Sequence, residues 1–123
     1  MSERSWRLFL EDVLESIDLI EAYTANMKLD NFKKDRKTID AVVRNFEIIG
    51  EASNNIPETI RQKYCRIDWK GIVGLRNRIA HEYFGISTSV IWYIIEKELS
   101  ELKAQLKQIL DTETENRRPL SCN

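Results

Sequence analysis

Ile39-Asp40-Ala41-Val42-Val43-Arg44-Asn45-Phe46-Glu47-Ile48-Ile49, closed by Asn54-Asn55-Ile56-Pro57, is the stretch on which the fold class turns. Ile39, Val42, Val43, Phe46 and Ile49 recur at three- and four-residue steps, the period of a helix with one buried face. Phe32 extends the pattern backwards, so a helix is expected from about Phe32 until Pro57 stops it. Working outward, Leu10, Val13, Leu14, Ile17 and Ile20 give the same period between Ser5, a candidate N-cap, and Lys28, with a polar joint at Asp30-Asn31. On the other side Pro57 can open a short helix through Tyr64, and Asp68 can cap a long segment from Trp69 to Phe84 that Gly85 closes. Ser87, Thr88 or Ser89 can cap a last helix in which Ile91, Ile95, Leu99, Leu102, Leu106 and Ile109 step like a coiled-coil seam. Four amphipathic helices with short joints bury their stripes best as an all-α antiparallel four-helix bundle. The expectation is one helical domain over residues 1–110 with a short extra helix, followed by a polar, fraying tail over 111–123.

The chain has 123 residues, enough for one core and too few for two. Charged residues make up 32% of it, yet the net charge is −1, so no global basic field draws the molecule onto nucleic acid. Polyanion binding would have to be local. Between Arg61 and His81 stand Arg61, Lys63, Arg66, Lys70, Arg76 and Arg78 against Asp68, six positive less one negative, or +5. A solvated helix face explains such a run equally well. Cys65 and Cys122 are far apart and form no disulfide framework or metal-ligand spacing, which points to a reducing compartment. With no apolar run long enough to span a membrane, a soluble, cytoplasmic protein is expected.

One segment carries chemistry. His81, the only histidine, lies in Arg76-Asn77-Arg78-Ile79-Ala80-His81-Glu82-Tyr83. Imidazole exchanges protons near neutral pH and guanidinium grips phosphate oxygens in a fork, a combination suited to phosphate chemistry without a metal or cofactor. At about 100° per residue, Asn77 and Arg78 share a helical face with His81 while Arg76 stands well round the helix from it. A site using both Arg76 and His81 is easier to build where a second copy of the helix faces the first. Metal-free RNA cleavage by the 2′-hydroxyl requires a base, an acid and cations on the phosphorane, and one histidine does not readily serve as both base and acid. A two-fold dimer would supply the second. The plainer alternative is a hydrogen-bonded structural histidine.

Other residues suggest chemistry less well. Glu47 and Glu51 lack a third metal ligand and read as surface carboxylates or partners of Arg76 or Arg78. Gly71 and Gly74 lack the Gly-Lys-Ser/Thr ending of a phosphate loop and read as close-packing residues. Trp69, Trp92, Tyr83, Phe84 and Tyr93 fit core or interface better than base stacking.

The run from Arg76 to Ile86, Arg-Asn-Arg-Ile-Ala-His-Glu-Tyr-Phe-Gly-Ile, resembles the signature of the HEPN superfamily, specifically of HepT-like toxins encoded beside minimal nucleotidyltransferase antitoxins. Asn45-Phe46-Glu47-Ile48-Ile49-Gly50-Glu51-Ala52 and Ile67-Asp68-Trp69-Lys70-Gly71-Ile72-Val73-Gly74-Leu75 agree with the same family in order and separation. The resemblance implies a homodimeric, metal-independent endoribonuclease with Arg76 and His81 as its catalytic pair and RNA as substrate. It also implies a cognate minimal nucleotidyltransferase that adds adenylyl groups at Tyr83, where a bulky phosphate would compete with RNA for the arginines. Asn77 and Arg78 are then assigned to phosphate or substrate contact. The alternative is a non-catalytic helical module that binds nucleotides or docks a nucleotidyltransferase. Assemblies beyond the dimer through the Ile91-to-Ile109 seam are compatible with either reading, since that stripe can also be core.

Overall fold

The computed structural model describes residues 3–75, 77–79 and 88–114, and every element among them is α-helical, packed as an all-α bundle. Among the described residues α1 spans Glu3–Thr24, α2 Leu29–Lys34, α3 Arg36–Asn54, α4 Glu58–Lys63 and α5 Trp69–Val73. Leu75 and residues 77–79 are helical as well, and α6 (Thr88–Lys97) and α7 (Leu99–Thr114) complete the set.

The first helix begins at Glu3, so Ser5 lies inside it rather than capping it. Its buried stripe is Trp6, Leu10, Val13, Ile17 and Ile20, with Leu14 packed at the margin. That stripe rests chiefly on Ile39, Val42, Phe46 and Ile49 of α3, the most extensive helix pairing in the bundle. The α1 end is shaped by Thr24, whose hydroxyl donates to the Ile20 carbonyl at 2.8 Å, and by Asn26 at φ 65°, a left-handed value that asparagine accepts more readily than most residues.

The second expected helix is divided in two. Asp35 accepts from the Thr38 backbone N–H at 3.0 Å and from its hydroxyl at 2.8 Å, capping α3 and separating it from α2. This break turns Phe32 of α2 into the core, where its ring lies 5.2 Å from that of Trp92 on α6. Trp69 and Trp92 are both buried, while Tyr93 is 56% exposed.

At the other end of the chain, α6 and α7 form an almost continuous rod. The Glu98 N–H reaches the Ile94 carbonyl at 3.0 Å and the Leu102 N–H reaches the Glu98 carbonyl at 3.1 Å. Ile91, Leu99, Leu102, Leu106 and Ile109 are all buried in the core of this chain, with Ile94 turned inward and Ile95 only partly covered. The seam is therefore core, not a free face awaiting another copy.

The rod also continues to Thr114, into the stretch assigned to a tail beginning at 111. Its end is held down. Thr112 is buried, and Glu113 accepts from Lys63 Nζ at 2.9 Å and from the Tyr64 hydroxyl at 2.5 Å. Midway along, Lys103 ties α7 to α1 through Asp18 at 2.7 Å and Glu21 at 2.9 Å, and these hydrogen bonds raise its pKa to about 12. Cys65 is disulfide-bonded, which corrects the expectation of a reduced thiol there. No described helix is long and apolar enough to cross a membrane.

Candidate functional site

Asp68 begins the segment that leads to the chemical run. Its carboxylate accepts from the Gly71 backbone N–H at 3.0 Å and so caps α5. A β-carbon on Gly71 would collide with that carboxylate, so the glycine is needed for the cap rather than for helix packing as the sequence suggested. Gly74 does not break the helical path, since its N–H reaches the Lys70 carbonyl and its carbonyl accepts from the Arg78 N–H, each at 3.0 Å.

Leu75 and Ile79, four residues apart, are buried, and this fixes the facing of the residues between them. Asn77 and Arg78 are accordingly on the solvent side. Arg78 Nη2 meets Glu98 Oε2 at 3.3 Å across 20 residues of sequence, with the two side chains 43% and 44% exposed. The sequence had offered Glu47 or Glu51 as partners for this arginine, but Glu47 pairs with Arg44 at 3.5 Å and Arg78 with Glu98. Arg76, His81 and Tyr83 lie outside the described residues, as do Phe84, Gly85 and Ser87.

Among the described residues, two hollows flank α5. One, of about 220 Å³, has Ile72, Leu75, Leu99 and Leu102 in its lining and carries Arg66, Asp68, Arg78, Glu98 and Glu101 as its charged groups. The other, of about 470 Å³, is bordered by Glu58, Arg61, Gln62, Trp69, Lys70 and Val73. The described members of the basic stretch are thus distributed rather than gathered. Arg66 and Arg78 face one hollow, Arg61 and Lys70 the other, and Lys63 is occupied by Glu113.

The Tyr64–Glu113–Lys63 group was not legible in sequence because its members are 49 and 50 residues apart. Burial, then the hydrogen bond to Glu113, pushes the Tyr64 phenol above its ordinary value. Burial also raises Glu113, but the hydrogen bonds from Tyr64 and Lys63 and the charges of Lys63 and Arg7 outweigh it and leave the carboxyl below its ordinary range. The group is a clasp between α4 and α7. Among the described residues no cluster of three His, Cys, Asp or Glu side chains is placed to hold a metal ion.

A family model described as HepT-like, "Ribonuclease HepT-like", matches residues 13–109. The chain belongs to the HepT-like ribonuclease family. The match runs from α1 through α5 and the Arg76-to-Tyr83 run to α7. Similar proteins include "Putative RNase MJ0127" of Methanocaldococcus jannaschii, 41% identical over 94% of this chain and 97% of the relative. "Putative RNase TTE0752" of Caldanaerobacter subterraneus is 39% identical over 87% of this chain and 96% of its own. "Probable ribonuclease HepT" of Thermococcus cleftensis is 36% identical over 87% and 97% respectively. No solved structure matches the chain. In this chain Arg76 and His81 follow in sequence on the segment that Asp68 caps and the buried Leu75 anchors.

Proposed function

We propose that this HepT-like protein is a metal-independent endoribonuclease, acting as the toxin of a toxin-antitoxin pair. The observation that carries the reading is that the family match spans Arg76, His81 and Tyr83 within the one run suited to metal-free phosphate chemistry. His81 takes the proton from the RNA 2′-hydroxyl, and Arg76 stabilises the charge that develops on the phosphorane. The departing 5′-oxygen needs a proton as well, and His81 of a second copy is the group of suitable pKa to give it. The active species is therefore a homodimer in which two runs share one cleft. Asn77 and Arg78, exposed just ahead of His81 in sequence, contact substrate phosphates without reading bases.

Tyr83 is the acceptor at which a partner minimal nucleotidyltransferase adds an adenylyl group. The added phosphate competes with RNA for the neighbouring arginines and silences the site.

Incubation of the purified protein with RNA in EDTA tests the reading. Cleavage yielding 2′,3′-cyclic phosphate ends is expected. His81→Ala is expected to abolish cleavage and growth inhibition with an unchanged melting temperature and mass in solution. Cleavage by His81→Ala at the parental rate overturns the assignment of His81. Intact RNA with the parent protein favours a non-catalytic docking module.

A further inference from the structure

Arg78 and Glu98 are each anchored by a buried neighbour. Ile79, beside Arg78, and Leu99, beside Glu98, are both 1% exposed, so the two charged side chains project from backbone that the core holds in place. Glu98 also stands where α6 passes into α7 with its helical hydrogen bonds intact, which leaves the carboxylate on a firm support. The pair itself is open to solvent on both sides, 43% and 44% exposed, at 3.3 Å. The guanidinium is thus accessible to a phosphate, but a carboxylate already occupies it.

The charge of the surrounding hollow strengthens that competition. Among the described residues its lining holds Arg66 and Arg78 against Asp68, Glu98 and Glu101, two positive less three negative, or −1. From these described groups a polyanion gains little unless Arg78 leaves Glu98. An exposed ion pair of this kind is weak, so a phosphate that meets the arginine along with other cations can displace the carboxylate.

We propose that Glu98 is a built-in competitor for the RNA phosphodiester, pairing with Arg78 in the free protein and yielding it when substrate binds. The inference rests on the ribonuclease reading and adds to it a residue outside the Arg-x4-His run that sets the affinity for RNA. Binding of a 2′-O-methyl oligoribonucleotide, which cannot be cleaved by 2′-hydroxyl attack, is measured across a potassium chloride series. Glu98→Gln is expected to bind about threefold to fivefold more tightly than the parent. Its log affinity should fall more steeply with log salt, by roughly one further ion, because Arg78 then exchanges a counterion rather than a carboxylate. Arg78→Gln should bind more weakly, and adding Glu98→Gln to it should recover little. Glu101→Gln, which removes a carboxylate elsewhere in the same hollow, should change affinity less than about twofold.

Tighter binding that persists in the Arg78→Gln background, or is matched by Glu101→Gln, would mean a general charge effect and overturn the proposal. Unchanged or weaker binding by Glu98→Gln would overturn it too, making Glu98 a support for Arg78 instead. Failure of every variant and the parent to bind the oligonucleotide removes the ribonuclease reading and the competitor with it. Binding by the parent that Glu98→Gln leaves unaltered removes only the competitor.

Discussion

At the scale of single residues, the cap at Asp68 and the glycine beneath it form one unit. Alanine normally stabilises a helix interior relative to glycine by about 1 kcal/mol, but on Gly71 its β-carbon would drive the Asp68 carboxylate from the Gly71 N–H. Asp68→Ala should cost about 1 kcal/mol through loss of the cap. Gly71→Ala should be neutral or destabilising in the parent and stabilising once Asp68 is alanine, a reversal that chemical denaturation of the four proteins will reveal. Glu113 gives a pH-dependent counterpart. Its carboxyl is lowered below 4.5 in the folded state, so its contribution is present above that pH and is lost as pH falls through the folded value. Tyr64 is raised above 10, so its contribution is present below pH 10 and is lost as pH climbs through the folded value. Glu113→Gln should lower stability at neutral pH by about 1–3 kcal/mol, by removing the charged acceptor of the part-buried Tyr64 hydroxyl, and should flatten the acid limb of a melting-temperature profile. An unchanged acid limb would show that the clasp does not govern it.

At the scale of elements, the division between α2 and α3 has the largest structural consequence. Periodicity alone joined Phe32 to Ile39 in one helix, because both are apolar and the intervening charged residues fit a solvated face. The Asp35 cap competes locally with helix continuation and wins, turning α2 so that Phe32 meets Trp92. Phe32→Ala should therefore cost about 3–5 kcal/mol, as for a fully enclosed aromatic, and denaturant unfolding should show it. A loss below about 1 kcal/mol would mean that α2 packs only loosely on α6. The end of α7 departs from expectation for a related reason. Asp111 to Thr114 looks polar and frayable in sequence, yet Lys63 and Tyr64 supply partners that no local pattern discloses.

At the scale of the molecule, the proposed mechanism links catalysis to assembly, because each chain has a single histidine. If two His81 side chains share the acid and base roles, cleavage rate should be bell-shaped about neutral pH, whereas a rate still rising past about pH 9 would exclude that division of labour. Light scattering should find a dimer at concentrations where RNA is cut. The seam from Ile91 to Ile109 is already filled within the chain, so any second copy must use another face.

The sequence by itself determined the helical class and most of the core, and it singled out the run on which the proposed chemistry rests. Helical periodicity and proton or phosphate chemistry are properties of short segments and the residue types within them. It also pointed to the family, because the Arg76-to-Ile86 run and the two supporting segments are local patterns in a definite order. Only the tertiary structure decided that Arg78 pairs with Glu98, that Glu113 clasps Lys63 and Tyr64, and that Arg66 and Arg78 are parted from Arg61 and Lys70 across α5. Those pairings join residues 20 to 50 positions apart, and their distances depend on how the helices pack rather than on anything one helix specifies.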